Sequence, residues 1–239
     1  MIVCTNHEST YSLTDSPQPL TSQTSNHLDS TAVTGNKNLM TAKTIALDAD
    51  GVLLDYATAY AHAWERAFGV MPELLNRNAY WPTDRWKVDW LEGESLRHFR
   101  SVFDEQFWSS IPPIDGALEA CRLLSDSGYE LICVTALEHH HGPARERNLK
   151  KLGYPISRVI TTDSSNQADS PKAEIINELQ LAAFVDDYSP YLRGVNGSVH
   201  KALILRDPDG SPNVGDDLQL ADSLHMNLLD FARWWIGSR

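Results

Sequence analysis

Side chains able to bind, attack or exchange protons stand at the ends of several short apolar segments in this sequence. They are Asp48, Asp50, Thr135, Lys172, Asp186 and Asp187. The set supplies a nucleophile, an acid or base, a hydroxyl, an ammonium group and a carboxylate pair. Asp48 and Asp50 point the same way from an extended segment, so crowding them against the second carboxylate pair is repulsive without a cation. Ligands that are all oxygen favour Mg²⁺, because zinc prefers His or Cys.

Apolar segments alternate with helical patterns from Thr41 onward, and this alternation predicts a parallel sheet with helices on both faces. The predicted strands are Thr44–Leu47, Glu130–Thr135, Ile156–Ile160, Ala182–Val185 and Ala202–Leu205. The predicted helices are Asp115–Leu124, 143–152, Pro171–Leu179 and Leu228–Ile236. Ligands bind at the carboxyl ends of the strands in open sheets of this kind, so we expect the six polar residues to meet there.

Residues 56–110 interrupt this alternation. They hold five of the seven tryptophans, their apolar residues recur at helical spacing, and they contain no strand pattern. We therefore predict an α/β fold: a Rossmann-like, three-layer parallel sheet core of residues 41–55 and 111–239, with a small all-helical cap domain of residues 56–110. The aromatic side chains of the cap either stack on a planar group of a ligand or pack the cap's own core.

Residues 1–40 differ from the rest of the chain in composition. Ser, Thr, Asn and Gln crowd positions 1–39, which carry few charges and show no helical or strand period, so we predict a disordered tail. The segment has no arginine, basic start or long apolar stretch, so neither a transit peptide nor a secretory signal is expected. Met40 stands just before the first predicted strand, and a translation start at Met40 is a further hypothesis.

The overall composition narrows the class of partner. The chain of 239 residues carries 32 acidic and 20 basic side chains, a formal net charge of −12, which disfavours binding to the phosphate backbone of a nucleic-acid polymer and favours a small molecule. Its longest apolar runs, such as Leu181–Val185, are far shorter than the roughly 20 residues of a membrane span. The three cysteines form no CxxC pair, which fits a reducing, cytoplasmic compartment. We expect a monomer or a homodimer.

Four segments, taken in order, resemble the motifs of the haloacid dehalogenase superfamily of phosphohydrolases. They are Asp48-Ala-Asp50-Gly51-Val52, Thr135 after Cys133-Val134, Lys172, and Asp186-Asp187. Each motif alone is common, but four in order, at strand ends or a helix start, are specific. The resemblance covers residues 44 to about 206, and it implies a Mg²⁺-dependent phosphatase with a helical cap between the first and second motifs.

The resemblance also implies a role for each site residue. Asp48 would attack the phosphorus atom and form an aspartyl-phosphate, while Asp50 would protonate the leaving oxygen and later deprotonate the attacking water. Thr135, Ala136 and Lys172 would bind the transferring phosphoryl group of a small phosphorylated metabolite. The implied metal ligands are Asp48, Asp50 through its backbone carbonyl, Asp186, and Asp187 either directly or through water.

The substrate and the reaction have alternatives at this point. The run from Phe107 to Leu118 and the Val-Asp-Asp sequence at 185–187 look more like 5′-nucleotidase-type members, which would favour a mononucleotide. A haloacid dehalogenase that hydrolyses a carbon–halogen bond is one alternative, although it has no need of an acid or base at Asp50. A catalytically silent module that binds a phosphate ligand is the other.

Two further groups of polar residues follow the second motif. Glu138 and the histidines 139–141 stand in a loop at the rim of the predicted site, where they bind substrate, a metal ion or solvent. Three consecutive histidines cannot all face one ion from a regular element. Arg145 and Arg147 open the next helix and face either substrate or solvent.

Overall fold

A parallel sheet lies at the centre of the fold in the computed structural model, which describes residues 43–162 and 170–238. The strands are β1 (Thr44–Leu47), β2 (Glu130–Thr135), β3 (Ile156–Thr161), β4 (Ala183–Asp186), β5 (His200–Ile204) and β6 (Ser223–His225). They lie in the order β3-β2-β1-β4-β5-β6, and every neighbouring pair is parallel. The tail that we predict at residues 1–40 lies outside the described residues.

The central strand β1 pairs with β2 on one side and with β4 on the other. Leu47 lies opposite Cys133 of β2 and Val185 of β4, so the three strands end at nearly the same level. The chain runs outward from β1 to β3 and then returns to the other side of β1 at β4. A sheet whose order reverses in this way opens a crevice at the carboxyl ends of the two strands involved, here β1 and β4.

Helices cover both faces of the sheet, which confirms the predicted three-layer α/β core. They are α1 (Tyr56–Phe68), α2 (Pro82–Arg85), α3 (Gly93–Ser101), α4 (Glu105–Trp108), α5 (Ala117–Asp126), α6 (Gly142–Lys151), α7 (Ala173–Glu178) and α8 (Leu228–Gly237). Ile45 and Leu47 of β1 belong to one hydrophobic cluster, together with Phe231 of α8. Ala46 belongs to a second cluster with Ile176 of α7. Because alternate residues of a strand face opposite sides, β1 is buried on both.

Some elements differ from the sequence prediction. The edge strand β6 is missing from the prediction, because only His225 of its three residues is buried and the segment has no apolar alternation. Helix α5 begins at Ala117 rather than at Asp115, because Gly116 occupies the N-cap position with a φ of 78°. Helix α7 begins at Ala173, so Lys172 occupies its N-cap position. That displacement places the lysine at the helix start, where it can reach the ends of the strands.

The segment 56–110 holds helices α1 to α4 and no strand. Its aromatic rings pack largely on one another: the Phe99 ring lies 5.1–5.3 Å from the rings of Tyr60, Trp64 and Phe103, and all four side chains are buried. These rings therefore form an aromatic core rather than a ligand platform, whereas Trp90 is 68% exposed. The division of the chain into a core and a cap domain stays a prediction.

The loop that follows β5 meets the inserted segment. Ala79 forms an isolated β-bridge with Asp209. Tyr80 N donates to Asp209 O at 3.0 Å, and Asp209 N donates to Asn78 O at 3.1 Å. Backbone hydrogen bonds thus fasten the middle of the inserted segment to the loop after β5.

Cys121 and Cys133 are buried free thiols, and burial raises the pKa of Cys133 to about 12, so its thiol stays protonated at neutral pH. Among the described residues, none of the helices combines the length and apolar character that a bilayer span requires.

Candidate active site

Three buried carboxylates meet in the crevice between β1 and β4. Asp48 follows β1 directly, and its backbone N–H donates to Val185 O of β4 at 2.9 Å, which fixes the first carboxylate beside the second strand. Asp186 ends β4 and Asp187 follows it. Carboxylate oxygens of Asp48, Asp186 and Asp187 lie within 4.8 Å of one another, and the three residues are at most 5% exposed. The carboxylates that the sequence predicts to converge do so.

Lys172 joins two of these carboxylates. Its Nζ donates to Asp48 Oδ1 at 2.5 Å and to Asp186 Oδ2 at 2.7 Å, and the side chain is fully buried. The ammonium group lies 4.6 Å from the centre of the Tyr191 ring. Burial by itself lowers the pKa of Lys172, but the Asp186 and Asp48 carboxylates raise it above its ordinary value, so the lysine is a cation in the site.

Asp186 and Asp187 have different partners. Asp186 Oδ1 accepts a hydrogen bond from Tyr188 N at 2.9 Å, while Asp187 Oδ2 accepts from Arg206 Nε at 2.7 Å. Burial raises the pKa of Asp186 to about 8; the neighbouring Asp48 and Asp187 carboxylates add to this rise and Lys172 opposes it. Two cations, Lys172 and Arg206, face the three carboxylates of Asp48, Asp186 and Asp187, so the site favours a further positive charge.

Gly51 supports this arrangement by having no side chain. Its φ of 93° is one that residues with a Cβ rarely adopt. A Cβ at this position would lie 2.1 Å from Asp187 Oδ2 and 2.7 Å from Arg206 Nε. The glycine therefore permits both the turn after Asp50 and the approach of the Asp187 carboxylate to the first motif.

Asp50 lies beside the cluster and pairs with Arg145. Arg145 Nη2 donates to Asp50 Oδ2 at 2.8 Å; the arginine side chain is fully buried and that of Asp50 is 28% exposed. Burial raises the pKa of Asp50, and the positive charge of Arg145 opposes that rise. The sequence leaves Arg145 open between substrate and solvent, whereas the structure buries it at the site. A signal was available: Arg145 shares a helix face with the buried Asn148 and Leu149, at i+3 and i+4.

Thr135 and Ala136 stand at the end of β2, next to β1. Thr135 is buried, and its carbonyl accepts hydrogen bonds from Leu137 N and Thr162 N, both at 2.9 Å. These bonds turn the chain sharply after β2, so the half-buried Ala136 lies in a tight turn at the strand end. The roles of Thr135 and Ala136 in binding a phosphoryl group stay predictions.

The loop after this turn is more exposed. Residues His139–His141 form a short 3-10 helix, and His139 Nδ1 lies 2.8 Å from Thr161 Oγ1. Ligating atoms of Glu138, His140 and His141 lie within 4.8 Å of one another. This group contains two of the three consecutive histidines, which agrees with the expectation that all three do not face one ion. Arg147 faces solvent and pairs with Glu105 at 2.6 Å.

The donor set in the crevice suits a hard divalent cation. Asp48, Asp186 and Asp187 supply only oxygen atoms, which Mg²⁺ prefers, and no His or Cys side chain joins them within the described residues. Burial raises the pKa of Asp186, and the neighbouring Asp48 and Asp187 carboxylates add to that rise, which a cation between them would offset. The residues therefore fit Mg²⁺.

Comparison with known proteins by sequence yields partial matches. No family model matches the chain. A protein of Bacillus cereus named as a nucleotidase is 27% identical over 104 residues, 44% of this chain and 54% of that protein. A protein of Oceanobacillus iheyensis, also named as a nucleotidase, is 27% identical over 113 residues, 47% of this chain and 59% of that protein. The chain thus spans little more than half the length of the curated relatives it matches.

Solved structures match over most of the chain. The predicted phosphoglycolate phosphatase of Haemophilus somnus is 15% identical with a TM-score of 0.54, covering 82% of this chain and 98% of that one. The L-2-haloacid dehalogenase of Xanthobacter autotrophicus is 14% identical with a TM-score of 0.54, covering 83% and 100%. The chain has the haloacid dehalogenase fold. The phosphatase and the dehalogenase resemble this chain equally in fold. The fold therefore does not distinguish between their reactions, and the distinction has to come from the side chains of the site.

Proposed function

We propose that this protein is a Mg²⁺-dependent phosphohydrolase that acts on a small phosphorylated metabolite through an aspartyl-phosphate at Asp48. The observation that carries the proposal is the buried cluster in the crevice between β1 and β4, where Lys172 bridges Asp48 and Asp186 and three carboxylates converge. A phosphoryl group is anionic, so a site for it requires fixed cations beside the nucleophile. Lys172 supplies one at 2.5 Å from Asp48.

Asp48 is the nucleophile in this proposal. Lys172 holds one oxygen of the Asp48 carboxylate, which orients the other toward an incoming phosphorus atom. The Asp48 oxygen forms a bond to phosphorus while the bond from phosphorus to the leaving oxygen breaks, and Asp50 donates a proton to that oxygen. Asp50 then takes a proton from the water that hydrolyses the aspartyl-phosphate. Thr135 and Ala136 bind the non-bridging oxygens from the end of β2.

Asp48, the backbone carbonyl of Asp50, Asp186 and Asp187 would hold the Mg²⁺ ion. When bound, the ion supplies positive charge that lowers the repulsion between the phosphoryl oxygens and the attacking carboxylate. The chain's own cations, Lys172 and Arg206, offset part of the negative charge of the carboxylates that the ion would contact, which helps to hold these carboxylates together.

The proposed substrate class is a mononucleotide. The curated relatives named as nucleotidases support it, as does the likeness of residues 107–118 and 185–187 to 5′-nucleotidase-type sequences. We also propose a cytoplasmic location, which the buried free thiols Cys121 and Cys133 support because such thiols persist in reducing compartments.

A dehalogenase reaction is the second candidate, because a haloacid dehalogenase resembles the chain as closely in fold. A carbon–halogen bond releases a halide that needs no proton. Asp50 stands two residues after the proposed nucleophile and accepts a hydrogen bond from Arg145. The presence of this acid or base favours the phosphatase. The third candidate is a module that binds a phosphate ligand without turnover.

Hydrolysis assays separate these candidates. We expect turnover of 4-nitrophenyl phosphate with Mg²⁺, its loss by on the order of 10³-fold in Asp48→Asn, and no change in Asp89→Asn, a matched control at an exposed aspartate. Release of halide from a 2-chloro acid instead would establish the dehalogenase, and binding of phosphate without any turnover would establish the silent module. A panel of nucleoside and sugar monophosphates then tests the substrate class, since equally slow rates throughout would contradict a nucleotidase.

A further inference from the structure

Glu138, His140 and His141 form a group of metal-ligating side chains outside the crevice. One ligating atom of each lies within 4.8 Å of the other two. The side chains of Glu138 and His140 are 71% and 66% exposed, and His141 is half-buried. The proposed phosphatase chemistry makes no use of these three side chains.

The short 3-10 helix after β2 brings the three side chains together. His141 N donates to Glu138 O at 2.9 Å, and residues three apart in a turn of this kind lie above one another on the same side. Consecutive residues of a 3-10 helix point about 120° apart. The ring centres of His140 and His141 are nevertheless only 3.7 Å apart. The two imidazoles therefore converge, although the backbone by itself would direct them apart.

Contacts on both sides hold this arrangement in place. His139 Nδ1 lies 2.8 Å from Thr161 Oγ1 of β3, so the first of the three histidines is directed to the sheet. On the other side, the His141 ring lies 5.4 Å from the ring of Trp108, a buried side chain whose Nε1 donates to Phe103 O at 3.0 Å. The first histidine thus anchors the turn, and the other two are left to bind a ligand.

The distances in this group suit a small transition-metal ion. In a tetrahedral zinc site, ligand atoms about 2.0–2.1 Å from the ion stand about 3.3 Å from one another. His140 Nδ1 and Glu138 Oε2 are already 3.3 Å apart. A small rotation of these exposed side chains brings the third ligating atom, within 4.8 Å, to the same spacing. Two imidazoles and one carboxylate are a donor set that Zn²⁺ accepts, whereas Mg²⁺ prefers oxygen alone.

We propose that Glu138, His140 and His141 bind a transition-metal ion of the Zn²⁺ type, at a second metal site separate from the oxygen-only cluster in the crevice. Three protein ligands leave the fourth position of a tetrahedral ion to water or to an anion. The exposure of Glu138 and His140 keeps that position open to solvent. The inference does not depend on the proposed phosphatase function, because none of the three residues takes part in it.

The second site lies at the rim of the crevice. The Trp108 ring that packs against His141 also lies 5.3 Å from the guanidinium carbon of Arg145, which is the partner of Asp50. A continuous series of packed side chains therefore connects the proposed zinc site to the crevice.

Calorimetric titration of Zn²⁺ into the full chain tests the site, with no histidine tag and with Mg²⁺ in excess. We expect an equivalent of Zn²⁺ whose binding depends on the three ligands. His140→Ala, His141→Ala and Glu138→Gln should each weaken it by about 10-fold or more, since even the loss of a group that supports a ligand has an effect of that size. His139→Ala is the matched control, because it removes a histidine from the same run without removing a ligand, and it should bind Zn²⁺ as the wild-type protein does.

The other outcomes of this titration overturn the inference. Absence of binding would show that Glu138 and His140 form only a solvated ion pair. Equal weakening in His139→Ala and in the ligand variants would show adventitious capture of the ion by a run of histidines. Binding that persists in the ligand variants would place the ion elsewhere, and in the crevice if Asp186→Asn abolishes it.

Co²⁺ provides a second readout in the same variants. A Co²⁺ ion held in a four-coordinate site absorbs visible light much more strongly than a hexahydrated ion does. We expect the strong absorption in the wild-type protein and in His139→Ala, and its loss in His141→Ala, with the circular dichroism spectrum unchanged in all three. Neither readout requires turnover, so absence of Asp48-dependent phosphatase activity would refute the proposed function and leave the second site standing.

Discussion

The ammonium group of Lys172 lies 2.5 Å from the carboxylate of Asp48, although the two residues are 124 positions apart in the chain. The same ammonium group contacts Asp186, so one lysine ties the start of α7 to the ends of β1 and β4. All three side chains are buried. The contact therefore stabilises the fold at the site and also places a cation beside the proposed nucleophile.

Replacing Lys172 by Met should destabilise the protein. The change leaves Asp48 and Asp186 buried without their cation, and breaking a buried ion pair from one side costs about 3–5 kcal/mol. Urea unfolding followed by circular dichroism measures the loss. Lys150→Met, at an exposed lysine, should change the free energy of unfolding little. Equal stability of the two variants would show that the buried carboxylates are neutral without Lys172.

Mg²⁺ should stabilise the folded protein. A ligand that binds only the native state adds about 2.7 kcal/mol to the free energy of unfolding at a concentration 100 times its Kd. Asp186→Asn and Asp187→Asn should lose most of this gain, whereas Asp89→Asn should keep it. Urea unfolding in Mg²⁺ and in EDTA provides the comparison, and an undiminished gain in both site variants would place the ion elsewhere.

Gly51→Ala tests the close approach of Asp187. The φ of 93° costs about 1–3 kcal/mol for a residue with a Cβ, and the clash at 2.1 Å from Asp187 Oδ2 adds to that cost. Gly69→Ala is the matched control, because its φ is also positive, 77°, but nothing lies within 4 Å of the added atom. We expect the Gly51 variant to lose clearly more thermal stability than the control and to bind Mg²⁺ more weakly. Similar losses would show that the backbone angle alone requires glycine.

His225 should make stability depend on pH. Burial lowers its pKa below 6.5, and the Asp230 carboxylate, 3.5 Å away, opposes the shift. The folded protein therefore binds a proton on His225 less readily than the unfolded chain, so the contribution of this group is present above the unfolded pKa and is lost as the pH falls below it.

We expect His225→Gln to lose less free energy of unfolding than the wild-type protein between pH 7.5 and 5.5, in urea titrations at both values. His62→Gln, at an exposed histidine, should follow the wild-type curve. If His225→Gln also follows that curve, another group governs the acid dependence.

The sequence predicts the parts of this fold that depend on strong local patterns. Apolar segments such as Thr44–Leu47 show the sheet core, and the polar residues at their ends locate the crevice, because parallel strands bring distant ends to one edge. The strand Ser223–His225 escapes prediction, since it is held by pairing with β5 rather than by an apolar pattern.

The part of the site that the sequence does not predict depends on contacts between distant segments. The sequence predicts only that Arg145 lies near the start of a helix. The packing of α6 against Trp108 shows that the side chain is buried beside Asp50. Arg206 lies in a loop with no motif, and its contact with Asp187 arises from the position of that loop in space. Such pairings carry no periodic signal along the chain.

The bridge between Ala79 and Asp209 bears on how this protein can be re-engineered. Arg206, in the same loop as Asp209, contacts Asp187 and lies 4.6 Å from the centre of the Tyr80 ring. Consider a chimera that takes residues 56–110 from a relative but keeps the native loop. In it, Arg206 would contact a foreign segment on one side and the Asp187 carboxylate on the other. The inserted segment and the loop after β5 should therefore be exchanged together. A graft meant to alter substrate specificity must include both.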